Sequence, residues 1–372
     1  MSQNLNNQIG QLLVIGIKGT VLDSEEKKFI VDNNIGGVIF FARNIESPKQ
    51  IHGLISELQS LRHKMADKAP LFIGVDMEGG RVARLKAPFT QWPPLKKLGE
   101  LDSATLCFKF AETMGIELRS IGFNLDFAPC VDILTNPKNT VIGDRSLGSD
   151  SENVAKLGSA LVRGYIKANI IPCAKHFPGH GNTLLDSHED LPVEKDVDLA
   201  RLLEIELNPF KRAFRARLDM VLTAHIQFPK IDPEWPATLS EIFLKKILRG
   251  DLGYRNLVIT DDLDMKALTK NYSPEVIPVR ALQAGNDLLL YCNDPTKPPI
   301  ALVAIEKALE SGALKKEEIS EKHGRILALK KSKMKTPDPQ DLATVSRLIG
   351  HPDHLRLSKA IFSGEVPADL AT

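Results

Sequence analysis

The sequence predicts an α/β protein built as a TIM-type (β/α)8 barrel, a single domain with a short C-terminal helical extension. Three observations predict it. Eight short apolar runs of strand length alternate with amphipathic helical stretches, and parallel strands require such a crossover between each pair. Polar, chemically capable residues stand just after the runs, as they do in barrels whose strand C-termini all open on one face. The chain, 372 residues with 43% hydrophobic and 26% charged content, is also long enough to bury one large core. An open doubly wound sheet shares the alternation, and the repeated polar residues after the strands favour the barrel.

The strand runs are 11–17, 37–41, 71–75, 123–127, 170–174, 220–224, 257–260 and 287–291. Helical periodicity marks 49–64, 104–120, 152–167, 199–216 and 239–249 between them. In the third of these, Val154, Leu157, Leu161 and Tyr165 fall on one face, the stripe of a helix packed on a sheet. The barrel is expected to span 1–332. The remainder, 333–372, reads as an extension with one more helix around 342–349, entered through a basic stretch (330–335) and Pro337-Asp338-Pro339.

Composition excludes several classes. A formal charge of +1, from 48 basic and 47 acidic residues, argues against a nucleic-acid binder, and the basic stretch reads as a solvated extension packed on the barrel. No apolar run approaches bilayer-spanning length, so no membrane partner is expected. The first nineteen residues lack the basic flank, apolar stretch and cleavage site of a secretory leader. Cys107, Cys130, Cys173 and Cys292 are scattered, with no CxxC pair, and are expected as reduced buried thiols of a cytoplasmic protein.

The densest chemistry lies in Lys175-His176-Phe177-Pro178-Gly179-His180-Gly181-Asn182-Thr183-Leu184-Leu185-Asp186-Ser187-His188. It follows a strand run and buries little by its composition, and loops on rigid scaffolds concentrate function. Asp186 and His188, one residue apart, offer a carboxylate that orients an imidazole titrating near neutrality, the equipment of a general acid/base. Two other readings are open: incidental surface histidines, or a metal held by His176, His180, Asp186 and His188. Against a metal, no short zinc signature is present and the glycines and prolines imply mobility.

A second constellation ends the seventh strand run, Thr260-Asp261-Asp262-Leu263-Asp264-Met265. A carboxylate at the end of a buried strand is costly without work or partners. Strand parity leaves open whether Asp261 or Asp262 faces the barrel mouth. Asp264 is expected to cap the helix beginning near Met265.

These segments, together with Asp76-Met77-Glu78-Gly79-Gly80-Arg81-Val82-Ala83-Arg84, Gly143-Asp144-Arg145-Ser146-Leu147-Gly148, Leu222-Thr223-Ala224-His225-Ile226 and Pro236-Ala237-Thr238-Leu239-Ser240, resemble glycoside hydrolase family 3 β-N-acetylglucosaminidases (β-hexosaminidases) of the NagZ type. The resemblance keeps the family's motif order from about Ile9 to Asn293 and implies a barrel fold. It implies Asp261 as a nucleophile forming a covalent glycosyl-enzyme, and His188 as the acid/base with Asp186 as its partner. It further implies that Asp76, Arg84, Arg145, Lys175 and His176 bind the sugar. No cofactor and no metal are implied.

The implied substrate is a small sugar, non-reducing terminal β-linked N-acetylglucosamine on a muropeptide of the GlcNAc-anhydro type, hydrolysed by a cytoplasmic monomer in peptidoglycan recycling. Residues 178–192 are expected to close over it. His180 and His225 are left between supporting the site and plain packing, while His52, His63, His323, His351 and His354 are expected as ordinary surface residues. A glucosidase or xylosidase of the same superfamily, a phosphorylase, and a non-catalytic sugar-binding barrel are the competing functions.

Overall fold

The computed structural model describes residues 3–187 and 189–370. Eight strands close into a parallel barrel: β1 Leu13–Gly16, β2 Gly37–Phe40, β3 Phe72–Val75, β6 Leu125–Asp126, β7 Ile171–Phe177, β8 Met220–Thr223, β9 Leu257–Asp262 and β10 Leu288–Tyr291. They neighbour one another in chain order, and β10 closes on β1 with Leu13 opposite Leu289. Every strand falls on one of the eight apolar runs. The runs are nearly continuous because a parallel strand is buried on both faces, by the barrel interior and by the helices.

The two faces are separable in the packing. Leu222, Ile259 and Leu290 share the principal core, whereas Val221 and Val258 pack outward against Phe210, Phe243 and Leu244 of the covering layer. The helix Ser151–Lys167 buries Val154, Leu157, Leu161 and Tyr165, the stripe read from periodicity, and its N-cap Asp150 accepts a hydrogen bond from the Asn153 amide. Each such apolar side chain contributes roughly 1.5–3 kcal/mol relative to exposure.

Some boundaries differ from the sequence reading. β7 runs on through Lys175, His176 and Phe177, all buried, because the Lys175 carbonyl accepts from Val131 N at 2.9 Å and Cys130 bridges to Lys175. The stretch 199–216 is two short helices, Leu199–Glu204 and Asn208–Arg215, since Pro209 cannot donate within a continuous helix and disfavours helical backbone before it. The stretch 239–249 becomes a 3₁₀ turn, Ala237–Leu239, followed by a π-helical segment, Ile242–Asp251.

The C-terminal extension is braced on the barrel. It holds two helices, Leu342–Leu348 and Pro352–Phe362, where one was expected. Asp338 takes a bidentate contact from Arg62 at 2.8 and 3.0 Å, and Ser358 donates to the Gln91 carbonyl. His354, expected at the surface, is buried with Nδ1 2.7 Å from Glu117 Oε1. The same carboxylate accepts from Thr90 N at 3.0 Å and Gly350 N at 3.2 Å. The basic stretch is also only partly solvated. Lys330 is buried under the barrel, donating to Gln11 Oε1 at 2.8 Å and the Gly36 carbonyl at 2.7 Å, and burial lowers its pKa to about 7.

All four cysteines are buried free thiols, and no helix among the described residues is long and apolar enough to cross a membrane.

Because Glu117 loses a buried partner in His354→Ala, that variant is expected to unfold with about 1–3 kcal/mol less stability. Denaturant unfolding checks this, and wild-type stability would remove the brace from the account.

Candidate active site

The mouth of the barrel, at the strand C-termini, holds a cavity of about 700 Å³. β3 delivers Asp76 to it, and the chain then folds back as a hairpin, β4 Met77–Gly79 and β5 Val82–Ala83, which carries Glu78 inward. The hairpin turn needs both its glycines. Gly79 and Gly80 have φ of 95° and 57°, and a Cβ on either would lie 2.4 Å from the Pro93 carbonyl oxygen or 2.7 Å from Pro94 Cβ, hence the Gly-Gly of this motif.

Polar side chains on the mouth form a continuous chain of contacts. Arg84 Nη2 lies 3.3 Å from Asp76 Oδ2, and Lys175 Nζ sits 2.7 Å from Asp76 Oδ1 and 2.6 Å from Glu78 Oε1. Arg145, in the turn Gly143–Arg145, grips Glu78 through Nε and Nη2 at 2.9 and 2.8 Å. Its Nη2 also reaches His176 Nε2 at 3.3 Å, while His176 Nδ1 lies 2.6 Å from Asp132 Oδ2. A guanidinium only donates, so Nε2 accepts and the imidazole proton sits on Nδ1, given to Asp132. Three carboxylates thus face three permanent cations, and the network is neutral.

Burial would raise the Glu78 carboxyl, but Arg145 and Lys175 outweigh it and hold it well below the usual carboxylate range. For Lys175 the order is mirrored: burial favours loss of its proton, and Asp76 and Glu78 more than restore it. Asp132 is pushed up by burial and pulled down further by His176 and by the His180 amide, to about 2.

Asp261 ends β9 and lines the same cavity, its Oδ1 accepting from Asp262 N at 2.8 Å. The open parity question is not a choice of one. The β9–β10 pairing shifts register here, with Leu288 opposite Ile259 but Leu290 opposite Asp262, so strict alternation is interrupted and both Asp261 and Asp262 line the cavity. Asp262 also ties the end of β9 to the next strand, accepting from Cys292 N at 3.1 Å and Asp264 N at 3.1 Å. Asp264 is not the helix cap: the cap position is Met265, without a side-chain bond. The Asp264 Oδ2 accepts from Asp294 N at 3.3 Å, and burial with the neighbouring Asp262 charge raises its pKa to about 7.

Asp186 lines the cavity from the loop after β7, and His188, its expected partner, lies outside the described residues. His180 supports that loop from beneath. Its amide donates to Asp132 Oδ1 at 2.7 Å, and its ring contacts Thr183 Oγ1 at 2.7 Å and Ser187 Oγ at 3.3 Å. Burial, then the neighbouring His176, lowers its pKa to about 4, so it is neutral at ordinary pH. His225 is buried too, with Nε2 2.9 Å from the Asp262 carbonyl, a tie between adjacent strand ends.

The structure therefore gathers Asp76, Arg84, Arg145, Lys175, His176, Asp186 and Asp261 around one cavity. It adds Glu78 and Asp132, which the sequence reading did not single out. Asp132 closes a buried apolar run, Ala128-Pro129-Cys130-Val131, the same signal that marked Asp261. As for metals, Cys130, Asp132 and His176 bring a thiol, a carboxylate and an imidazole within 4.8 Å of one another, yet Asp132 already takes a hydrogen bond from each of the other two. Of the four ligands considered from sequence, His188 lies outside the described residues, and His176 and His180 are engaged with Asp132, Thr183 and Ser187 as described.

Removing the Asp132 charge tests this hub. Its carboxyl ionises more readily in the fold, at about 2, than in an unfolded chain, at about 4. The resulting stabilisation is complete above about pH 4 and is lost as pH falls through about 2. Asp132→Asn is expected to cost about 1.5–3 kcal/mol at neutral pH and to lose less further stability than wild type on acidification through that window. Parallel stability–pH curves would contradict the assignment.

Comparison with known proteins agrees with this architecture. The family model "Glycosyl hydrolase family 3 N terminal domain" matches residues 4–329. "Beta-hexosaminidase A" of Pseudoalteromonas piscicida is 34% identical over 91% of this chain, which spans 60% of that protein's length. The structure of a glycoside hydrolase family 3 β-N-acetylglucosaminidase from Paenibacillus sp. str. FPU-7 superposes with a TM-score of 0.91 at 39% identity, covering 97% of this chain and 68% of that one. Native NagZ from Neisseria gonorrhoeae gives a TM-score of 0.76 at 30% identity over 96% of this chain and 98% of its own. By the extent of the family match, the chain belongs to glycosyl hydrolase family 3.

Proposed function

We propose that this chain is a retaining exo-β-N-acetylglucosaminidase that removes non-reducing terminal β-linked N-acetylglucosamine from muropeptides in cytoplasmic peptidoglycan recycling. The observation that carries the reading is one cavity shared by the Asp261 carboxylate, the Asp76–Lys175–Glu78–Arg145 network and the Asp186 loop. A neutral polyol suits a mouth whose ion-pair network is balanced: Asp76 can accept from sugar hydroxyls while Arg84, Lys175, Arg145 and His176 complete the ring of polar partners. The similarity to NagZ from Neisseria gonorrhoeae, whose structure in complex with N-trifluoroacetyl-D-glucosamine is 29% identical over 95% of this chain, supports the N-acetylglucosamine part of the reading.

In the first step Asp261 attacks the anomeric carbon, the glycosidic C–O bond breaks, and His188 gives its proton to the departing oxygen. In the second, neutral His188 takes a proton from water, the oxygen attacks the same carbon, and the ester to Asp261 is released. Asp186 orients the imidazole. Residues 1–332 form the catalytic unit and 333–372 its extension. A monomer is taken as the working form.

A β-N-acetylglucosaminide reporter tests the proposal. Turnover in Asp261→Asn is expected to fall on the order of 10⁴-fold or more, and in His188→Ala by roughly 10²–10⁴-fold. Wild-type turnover in both would sink the mechanism. The loop's role is read by hydrogen exchange over 178–192, where bound N-acetylglucosamine should slow exchange; identical profiles with and without the sugar would remove the closure step.

A further inference from the structure

We propose that a pocket at the far end of the barrel from the mouth binds a small phosphate dianion, either inorganic phosphate or the phosphate of a small monoester. The pocket has a volume of about 280 Å³ and lies where β9 and β10 begin, whereas Asp261 stands where β9 ends. It is separate from the sugar site and does not depend on the glycosidase reading.

One buried carboxylate organises the pocket. Asp287 immediately precedes β10 and is fully buried. Its Oδ1 accepts from Arg325 Nε and Nη2 at 2.9 and 2.7 Å, and its Oδ2 accepts from Arg249 Nη2 at 2.6 Å and Val258 N at 2.9 Å. Both oxygens are thus committed to two guanidiniums and a backbone amide. A third cation, Lys322, comes from the same helix as Arg325, Lys316–Lys333, and is only 5% exposed. Lys322 lines the pocket and donates to the Asn286 carbonyl at 2.7 Å, and its other two N–H groups have no acceptor among the described residues. Buried ammonium groups are ordinarily paired with a carboxylate. Here burial lowers the Lys322 pKa to about 8, with Asp287 opposing the shift and Arg325 and Arg249 adding to it.

The rim extends the imbalance. Arg255 donates to the carbonyls of Arg249 and Tyr254 and meets no carboxylate among the described residues. Lys245 lies 3.1 Å from Glu241, but Glu241 is shared with Arg280. Two further carboxylates line the pocket: Glu318, 4.0 Å from Lys245, and Glu321, which has no ion pair among the described residues. With Asp287 included, five cations face three carboxylates, an excess of two positive charges. The network at the mouth, by contrast, is balanced.

A ligand that corrects this excess carries two negative charges. Phosphate and its monoesters approach that charge near neutral pH and bring at least three strong acceptor oxygens, which the unused N–H groups of Lys322 can meet. Size restricts the choice further, because about 280 Å³ falls just below the range of drug-sized sites, about 300–1,000 Å³. A small anion suits the space.

Isothermal titration calorimetry of the full chain tests the site. Inorganic phosphate and glucose 6-phosphate are titrated separately at neutral pH, with ionic strength held constant by sodium chloride so that screening alone gives no signal. Saturable binding of one anion per chain is expected, and Lys322→Met should weaken it about tenfold or more, the loss of a charged hydrogen bond at a buried position. Lys245→Gln/Arg255→Gln changes only exposed side chains, keeps the buried cluster in place and should weaken binding about fivefold. Tighter binding of inorganic phosphate assigns the site to the free ion, and tighter binding of glucose 6-phosphate assigns it to a monoester. No saturable binding of either, or wild-type affinity in the folded variants, overturns the site. Turnover is not the readout, so failure here leaves the glycosidase reading standing, and failure of that reading leaves this test intact.

Discussion

Lys175 is the side chain on which the mouth of this barrel depends. It is buried at the end of a strand, where an unpartnered ammonium would give up its proton, and it stays charged because Asp76 and Glu78 both lie within 2.7 Å of it. Each carboxylate is in turn held by a guanidinium, Arg84 or Arg145. Buried ion pairs of this kind contribute little net stability, since desolvation offsets their attraction. Their consequence here is positional: Lys175, Asp76, Glu78 and Arg145 are each fixed by two neighbours before any ligand arrives, which lowers the entropy cost of orienting one.

The fold serves that arrangement at several distances. The Gly79–Gly80 turn brings Glu78 back toward the mouth and is held by Gly80 N donating to the Trp92 carbonyl at 2.8 Å. The loop containing Trp92 is pinned by Glu117 through Thr90, and Glu117 is held by His354 from the C-terminal extension. A continuous set of contacts therefore leads from the last helices of the chain to the hairpin beside the network. On the other side of the mouth, Asp132 joins β7 to the loop after it by accepting from both the His176 and His180 amides.

Each departure from the sequence reading has a tertiary cause. His354 looked like a surface residue because its own helix is exposed around it, yet Glu117, more than two hundred residues earlier, draws it inward. Lys330 sits in a run of lysines, and the open bottom of the barrel offers it the Gln11 and Gly36 oxygens. Asp264 has the spacing of a helix cap, and the Asp294 amide competes for its carboxylate. In none of these does the local pattern contain the partner.

The sequence by itself determined the eight strands, the sense of their connection and the residues that follow them, because a parallel barrel needs continuous apolar runs separated by helices, and that pattern is local. It also marked Asp76, Lys175, His176, Asp186 and Asp261 as chemically unusual for their positions. Only the tertiary structure decided that Asp261 and Asp262 both reach the mouth while Asp262 is tied to the next strand, that Lys175 and His176 belong to a strand, and that Glu78 and Asp132 complete the network. Parity, burial and pairing between strands far apart in the chain are properties of the closed barrel, and they exist only once it has closed.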